Sequence, residues 1–216
     1  MRAPRLASGL LVVALSGWVV YGAAPQLASR PAEEWVKTLE NPQRIAGLKI
    51  EDVVARLRLK PGNVVADIGA GSGAFEGALA AAVAPGGTVY AVDIEQGLLD
   101  HIARRAKDLG VANVRVVLGK YTDPAMPVRN VDVALIYDVL HHIDARAEYL
   151  KNLAGYIAPG GRIAVVDFLP GRGGHVNQPE LQISKEQAAS WMAGAGLKPV
   201  EDLDLFADKW FVVYAR

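Results

Sequence analysis

The stretch that most limits what this chain can become is Val64-Val65-Ala66-Asp67-Ile68-Gly69-Ala70-Gly71-Ser72-Gly73-Ala74-Phe75. A short apolar run rich in β-branched residues carries an acid and meets three glycines, and a helical pattern follows at once, over about 74–84. That order reads as strand, tight turn, helix. Glycine at such a turn lets the backbone come close to a ligand, because no Cβ stands in the way. The free N–H groups of the new helix's first turn then face that ligand.

Spacing narrows the ligand. A dinucleotide fingerprint places its third glycine three residues after the second. Here Gly69, Gly71 and Gly73 form G-x-G-x-G, and Asp67 precedes the first of them. A carboxylate there repels a pyrophosphate and attracts a cationic amino acid moiety. An ordinary tight βα turn is the bland alternative. The stretch resembles the first motif of class I S-adenosylmethionine-dependent methyltransferases.

The bulk of the sequence excludes several other chemistries. At 216 residues, less a leader, the chain suits one α/β domain with a full core. Its 23 basic and 23 acidic residues cancel, so no overall field favours nucleic acid. It has no cysteine, which removes disulfides, cysteine-zinc sites, thiol nucleophiles and cysteine-ligated iron–sulfur clusters. No metal is assigned.

The N-terminus carries Arg2 and Arg5, followed by a stretch without charge, residues 6–29, centred on Leu10-Leu11-Val12-Val13-Ala14-Leu15. It reads as a signal peptide or a membrane anchor, with an uncleaved anchor preferred because Pro25 spoils the small-residue cleavage site Gly22-Ala23-Ala24. The two arginines favour export of the domain behind them to the periplasm. A cofactor made in the cytoplasm favours a domain facing that side, and this is the localisation expected.

Residues 30–60 read as N-terminal helices covering the cofactor cleft. A short amphipathic helix pairs Trp35 with Leu39 between Pro31 and the stop Asn41-Pro42, and a second helix spans 50–59. The remainder, 61–216, is the catalytic domain. Thr88 to Asp93 is a second buried strand, with Asp93 about twenty residues beyond Gly73, where doubly wound folds place a ribose-binding carboxylate. A helix follows over 96–109, closed by Gly110, and then a third strand at 114–118. About a dozen residues separate it from the fourth strand, 131–137, so a loop is expected there. Asp144 is expected to cap a helix over 145–157. Pro159-Gly160-Gly161 then turns into a fifth strand over 162–166. After an irregular stretch, 167–183, Ser184 and Gln187 form a capping box, and strands at 198–205 and 210–215 close the chain.

Alternating strands and helices imply a parallel sheet covered on both faces, and the closing strand pair implies an antiparallel hairpin. That pattern matches the architecture of the methyltransferases the chain resembles. The fold class the resemblance implies is α/β, a three-layer Rossmann-like seven-stranded methyltransferase fold, with sheet order 3-2-1-4-5-7-6 and the last strand antiparallel.

What the resemblance implies is a methyl transfer from S-adenosyl-L-methionine to a small-molecule acceptor by in-line displacement. The implied cofactor-binding residues are Asp67, Gly69, Ala70, Gly71, Gly73, Asp93, Ile94, Tyr121, Asp123, Tyr137 and Asp138. Many relatives carry an acid directly after the glycine at 119; this chain has Lys120, which leaves adenine recognition to Asp123, Tyr121 or backbone groups. Tyr137-Asp138-Val139-Leu140-His141-His142 looks like the D-x-x-H-H variety found in small-molecule enzymes, which places Asp138 beside the sulfonium and His142 facing the acceptor. His142 is the preferred general base, His141 the second choice. Trp35, Arg44, His142, Arg172 and His175 are the candidate substrate-binding residues, with Ile45 beside them. An NAD(P)-dependent oxidoreductase and a non-catalytic cofactor-binding module are the competing readings. No nucleic-acid partner is expected, membrane association is expected from the leader, and the sequence is silent on oligomeric state.

Overall fold

Strands apolar on both faces need cover on both sides, and the cleft of this protein is built where that cover changes hand. The computed structural model describes residues 30–173 and 175–216. Helices α1 (Ala32–Leu39), α2 (Pro42–Leu48) and α3 (Ile50–Arg56) precede β1 (Val64–Ile68). Then come α4 (Glu76–Val83), β2 (Thr88–Asp93), α5 (Gln96–Asp108), β3 (Val114–Leu118) and β4 (Val131–Tyr137). The chain closes with α6 (Arg146–Ala154), β5 (Ile157–Phe168), α7 (Lys185–Gly194), β6 (Lys198–Asp202) and β7 (Lys209–Ala215).

The seven strands form one sheet in the order β3-β2-β1-β4-β5-β7-β6. Only β7 runs against its neighbours β5 and β6. Both are as expected from the sequence, including the loop between β3 and β4. Side-chain alternation splits the core in two. Ala66, Ala134, Ile136 and Val165 pack with Leu150, Leu153 and Met192 on one face. Val65, Val133, Leu135 and Val166 pack with Leu57, Leu79 and Val83 on the other. Each fully buried side chain of this size stabilises the fold by roughly 1.5–3 kcal/mol. Because β1 lies between β2 and β4, strand order reverses there and the carboxyl ends open into a crevice.

Local details correct the expectation in three places. Asn41-Pro42 does not only end a helix; it begins α2, with Asn41 Oδ1 accepting from the N–H groups of Gln43 at 3.0 Å and Arg44 at 3.4 Å and Pro42 at the first helical position. Asp144 does not cap α6, whose N-cap is Ala145 with no side-chain bond. Pro159-Gly160-Gly161 lies inside β5 rather than ahead of it: Val131 pairs with Ile157 and Val133 with Arg162. The extra residues bulge out, with Gly160 at φ 78°, and pairing resumes. The capping box at Ser184 forms, with Gln187 N–H donating to Ser184 Oγ at 3.2 Å and Ser184 N–H to Gln187 Oε1 at 2.9 Å. Ser184→Ala should therefore lower stability by about 1 kcal/mol, measured by urea unfolding.

The apolar leader, 1–29, lies outside the described residues. No helix among the described residues is long and apolar enough to cross a membrane.

Candidate functional site

A cavity of about 1030 Å³ lies over the carboxyl ends of β1, β2 and β4. Its floor is the glycine turn after β1. Gly69 and Gly71 take φ of 72° and 58°, which glycine adopts without strain. The Val139 side chain stands where a Cβ on Gly69 would go, and Leu39 of α1 sits 3.2 Å from the Cβ position of Gly71. Gly69 and Ala70 donate their N–H groups to Val92 O at 2.8 and 3.0 Å. Gly71 N–H donates to Asp93 Oδ2 at 2.9 Å, and Glu95 N–H to Asp93 Oδ1 at 3.0 Å. The turn is thus strapped to the end of β2 by the Asp93 carboxylate.

Three of the acids lining this cavity stand at the ends of β1, β2 and β4. Asp67 is 3 % exposed, and burial, with the Asp93 charge adding to it, pushes its carboxyl up to about 7, against a lowering bond from Glu76. Burial also raises Asp93, partly offset by the N–H groups it accepts. Asp138 sits just past β4 with φ 55°, a left-handed conformation rare outside glycine and asparagine. Its Oδ2 pairs with the Lys209 ammonium, which lies 4.1 Å from the centre of the Phe168 ring and 4.7 Å from that of Tyr137. Its Oδ1 is buried with no hydrogen-bond partner among the described residues. Burial raises Asp138 and Lys209 lowers it. An unpaired buried oxygen of this kind costs about 1–3 kcal/mol, so it awaits a donor or a cation.

The opposite end of the cavity is made of imidazoles. A single 3₁₀ turn, Leu140–His142, follows β4. His141 is buried, and its Nδ1–H donates to Asp167 Oδ1 at 2.6 Å while its backbone N–H donates to Asp167 Oδ2 at 3.1 Å. Phe168 N–H donates to the same Oδ1 at 2.8 Å. The His142 ring centre is 4.1 Å from that of His141, and His175 reaches in from the loop after β5. Burial, helped by the neighbouring imidazoles, pushes His142 down to about 4. The native ring therefore stays neutral while an unfolded one, titrating near 6.5, takes up a proton. Stability should fall as pH drops from about 6.5 to 4, the unfolded chain binding the extra proton. Urea unfolding across that window checks this, and His142→Gln should flatten the dependence.

Of the residues named from the sequence, Asp67, Gly69, Ala70, Gly71, Asp93, Ile94, Tyr121, Tyr137, Asp138, His141, His142, His175, Trp35 and Arg44 all line this one cavity. Three do not. Gly73 faces Ile102 and Glu76 below the turn. Asp123 spends Oδ1 on Ala125 N–H at 2.6 Å and the Tyr156 hydroxyl at 2.8 Å, shaping its own loop. Arg172 is exposed outside the cavity. Asp167, Lys209 and Phe168 were missed. Asp167 had a readable signal, an apolar run ending in an acid like those before Asp67 and Asp93; Lys209 had none, since it pairs with Asp138 across 71 positions of sequence.

Residues 66–163 match the family model described as "Methyltransferase domain". A crystal structure of a SAM-dependent methyltransferase from Aquifex aeolicus superposes with a TM-score of 0.76, at 23% identity, over 86% of this chain and 97% of that one. The segment 66–163 therefore resembles a methyltransferase domain, and the sheet with its helices has the fold of that Aquifex aeolicus enzyme. Among curated proteins, the domain is similar to a ubiquinone/menaquinone biosynthesis C-methyltransferase of Ectopseudomonas mendocina (strain ymp), 32% identical over 51% of this chain and 43% of that protein. It is also similar to a nocamycin O-methyltransferase of Saccharothrix syringae, 33% identical over 51% of this chain and 40% of that protein. The chain spans about half the length, or less, of the curated relatives it matches. The matched segment carries every cavity acid named above and both histidines of the 3₁₀ turn, and ends before Asp167 and His175.

Proposed function

We propose that the protein is an S-adenosylmethionine-dependent methyltransferase acting on a small hydroxylated acceptor. The observation that carries the reading is the convergence of Asp67, Asp93 and Asp138, from the ends of three adjacent strands, on a cavity floored by glycine backbone. The cofactor fits the residues present: an unpaired Asp138 oxygen, and enough volume for a nucleoside beside a second small molecule. When bound, it supplies a methyl group on a positively charged sulfur.

Asp67 would hold the cationic amino acid end and ionise as it does so. Asp93 offers two oxygens, which suits the paired ribose hydroxyls. Asp138 sets negative charge beside the sulfonium, with Lys209 fixing its direction. Trp35, Leu39 and Phe168 give the rim an apolar surface that excludes water and aligns the acceptor. Among the protein's own groups, His141 is better placed than His142 to take a proton. Asp167 fixes its tautomer, whereas His142 is held neutral far below physiological pH and is a weak base. The apolar leader is read as an anchor holding the domain at a membrane, facing the cytoplasm.

Calorimetry on the full chain tests the reading directly. S-adenosylmethionine and S-adenosylhomocysteine should bind one per chain and NAD should not. Tight NAD binding with none of the sulfonium nucleoside would reverse the assignment. Labelled cofactor incubated with cell extract would then identify the methylated product.

A further inference from the structure

The imidazoles at the acceptor end are arranged more closely than proton transfer requires. His141 and His142 come from the turn after β4 and His175 from the loop after β5, and one ring nitrogen of each lies within 4.8 Å of the others. Their ring centres are 4.1, 5.0 and 5.1 Å apart. Three imidazoles bound tetrahedrally to one ion at about 2.0–2.1 Å have ring centres about 5 Å apart. Two of the three separations therefore match already, and the shortest is between sequence neighbours.

The far sides of the rings are secured as well. His141 Nδ1 donates to Asp167 Oδ1 at 2.6 Å, and His175 Nδ1 to Gln178 Oε1 at 2.6 Å. Both Asp167 oxygens already receive backbone N–H groups, so the partner on His141 is a proton donor and its Nε2 keeps a free lone pair. The Gln178 amide oxygen has the same effect on His175. A carboxylate or amide oxygen behind a histidine is the arrangement that orients metal-binding imidazoles and raises their basicity.

We propose that His141, His142 and His175 bind one divalent transition metal ion of the zinc class, with Asp167 and Gln178 orienting two of the three ligands. Nitrogen donors select zinc, cobalt, nickel or copper, whereas magnesium and calcium require oxygen. All three rings line the cavity, so the remaining coordination position opens toward the acceptor. Three protein ligands with one open position is the pattern of a catalytic rather than a structural zinc site. The consequence for chemistry rests on the methyl-transfer reading: an acceptor hydroxyl coordinated there would lose its proton to water and remain on the ion as an oxygen anion. The imidazoles would then act as ligands instead of bases.

The test uses the untagged full chain, stripped with chelator and titrated with zinc chloride against a chromophoric competitor, and separately with cobalt chloride followed by visible absorption. One ion per chain is expected, with the absorption of tetrahedral cobalt. His142→Ala and His175→Ala should each weaken zinc binding about 100-fold or more, and Asp167→Asn and Gln178→Ala by about 10–100-fold. His101→Ala, whose ring lies on α5 bonded to Glu40, should change nothing. His175 sits on a loop, so its removal leaves the fold intact, as melting curves on the same samples would report. Zinc binding that is no tighter in the natural chain than in His175→Ala overturns the proposal, as does binding that survives removal of all three imidazoles. Nucleoside affinity measured alongside separates the two claims. Zinc bound without nucleoside leaves this site standing and removes the methyl-transfer reading; nucleoside bound without zinc removes this site alone.

Discussion

Asp167→Asn should cut methyl transfer by about 10²–10⁴-fold while leaving cofactor affinity nearly unchanged. The reason is the bonding around one buried carboxylate, 1 % exposed. Oδ1 accepts from Phe168 N–H and from the His141 ring, and Oδ2 accepts from His141 N–H. An asparagine has one oxygen for these two positions. Placed at Oδ1, it leaves its NH₂ facing His141 N–H, donor against donor. Placed at Oδ2, it opposes Phe168 N–H and forces His141 to accept at Nδ1, which moves the ring proton to Nε2 and removes the lone pair that faces the cavity. Either orientation leaves a buried donor unpaired, so stability should also fall by about 1–3 kcal/mol. Asp167 is a positioning residue, since it acts through His141. The loss in turnover follows from the second orientation, whether His141 takes a proton or holds an ion, because both need that lone pair. Melting curves, nucleoside calorimetry and labelled-methyl transfer on one set of samples check it. Full turnover with only lowered stability would reduce Asp167 to a packing role.

The features legible in the sequence are those that depend on neighbours along the chain. The βα turn at Gly69, the strands ending at Asp67 and Asp93, and the capping box of Ser184 and Gln187 are set by residues within a few positions of one another, and each stands where it was expected. Sheet order came from the resemblance carried by that same turn, and strand–helix alternation with a final hairpin agrees with it. The elements read wrongly are those decided by pairing at a distance. Pro159-Gly160-Gly161 has the composition of a turn, yet β4 pairs with Ile157 before it and with Arg162 after it, so it becomes a bulge inside β5. In the same way, Asp123 has the position of an adenine-binding acid, but the Tyr156 hydroxyl arrives from beyond α6 to occupy it. The histidine cluster shows the limit most plainly. His141-His142 is a visible motif, while His175, Asp167 and Gln178 join it only through the return of the chain after β5. No local spacing announces three imidazoles and their two oxygen partners.

Asp93→Ala should weaken binding of S-adenosylmethionine and S-adenosylhomocysteine by roughly 1–3 kcal/mol, or about 5–150-fold. Two losses contribute. The ribose would lose the Asp93 carboxylate, and Gly71 N–H and Glu95 N–H would lose their acceptor, loosening the glycine turn from β2. The two effects are separable. Losing the strap alone would weaken every nucleoside equally, whereas losing the diol contact would abolish discrimination between a ribose and its 2′-deoxy counterpart. The natural chain should bind S-adenosylhomocysteine more tightly than 2′-deoxy-S-adenosylhomocysteine, and Asp93→Ala should bind the two alike. Asp93→Asn, which keeps one acceptor oxygen, should fall between them. If the variant still favours the ribose form by the natural factor, the hydroxyls are held elsewhere. Asp93 would then serve the cleft by strapping Gly71, and the ribose would have to be met by Glu95 or Ile94 at the start of the next turn.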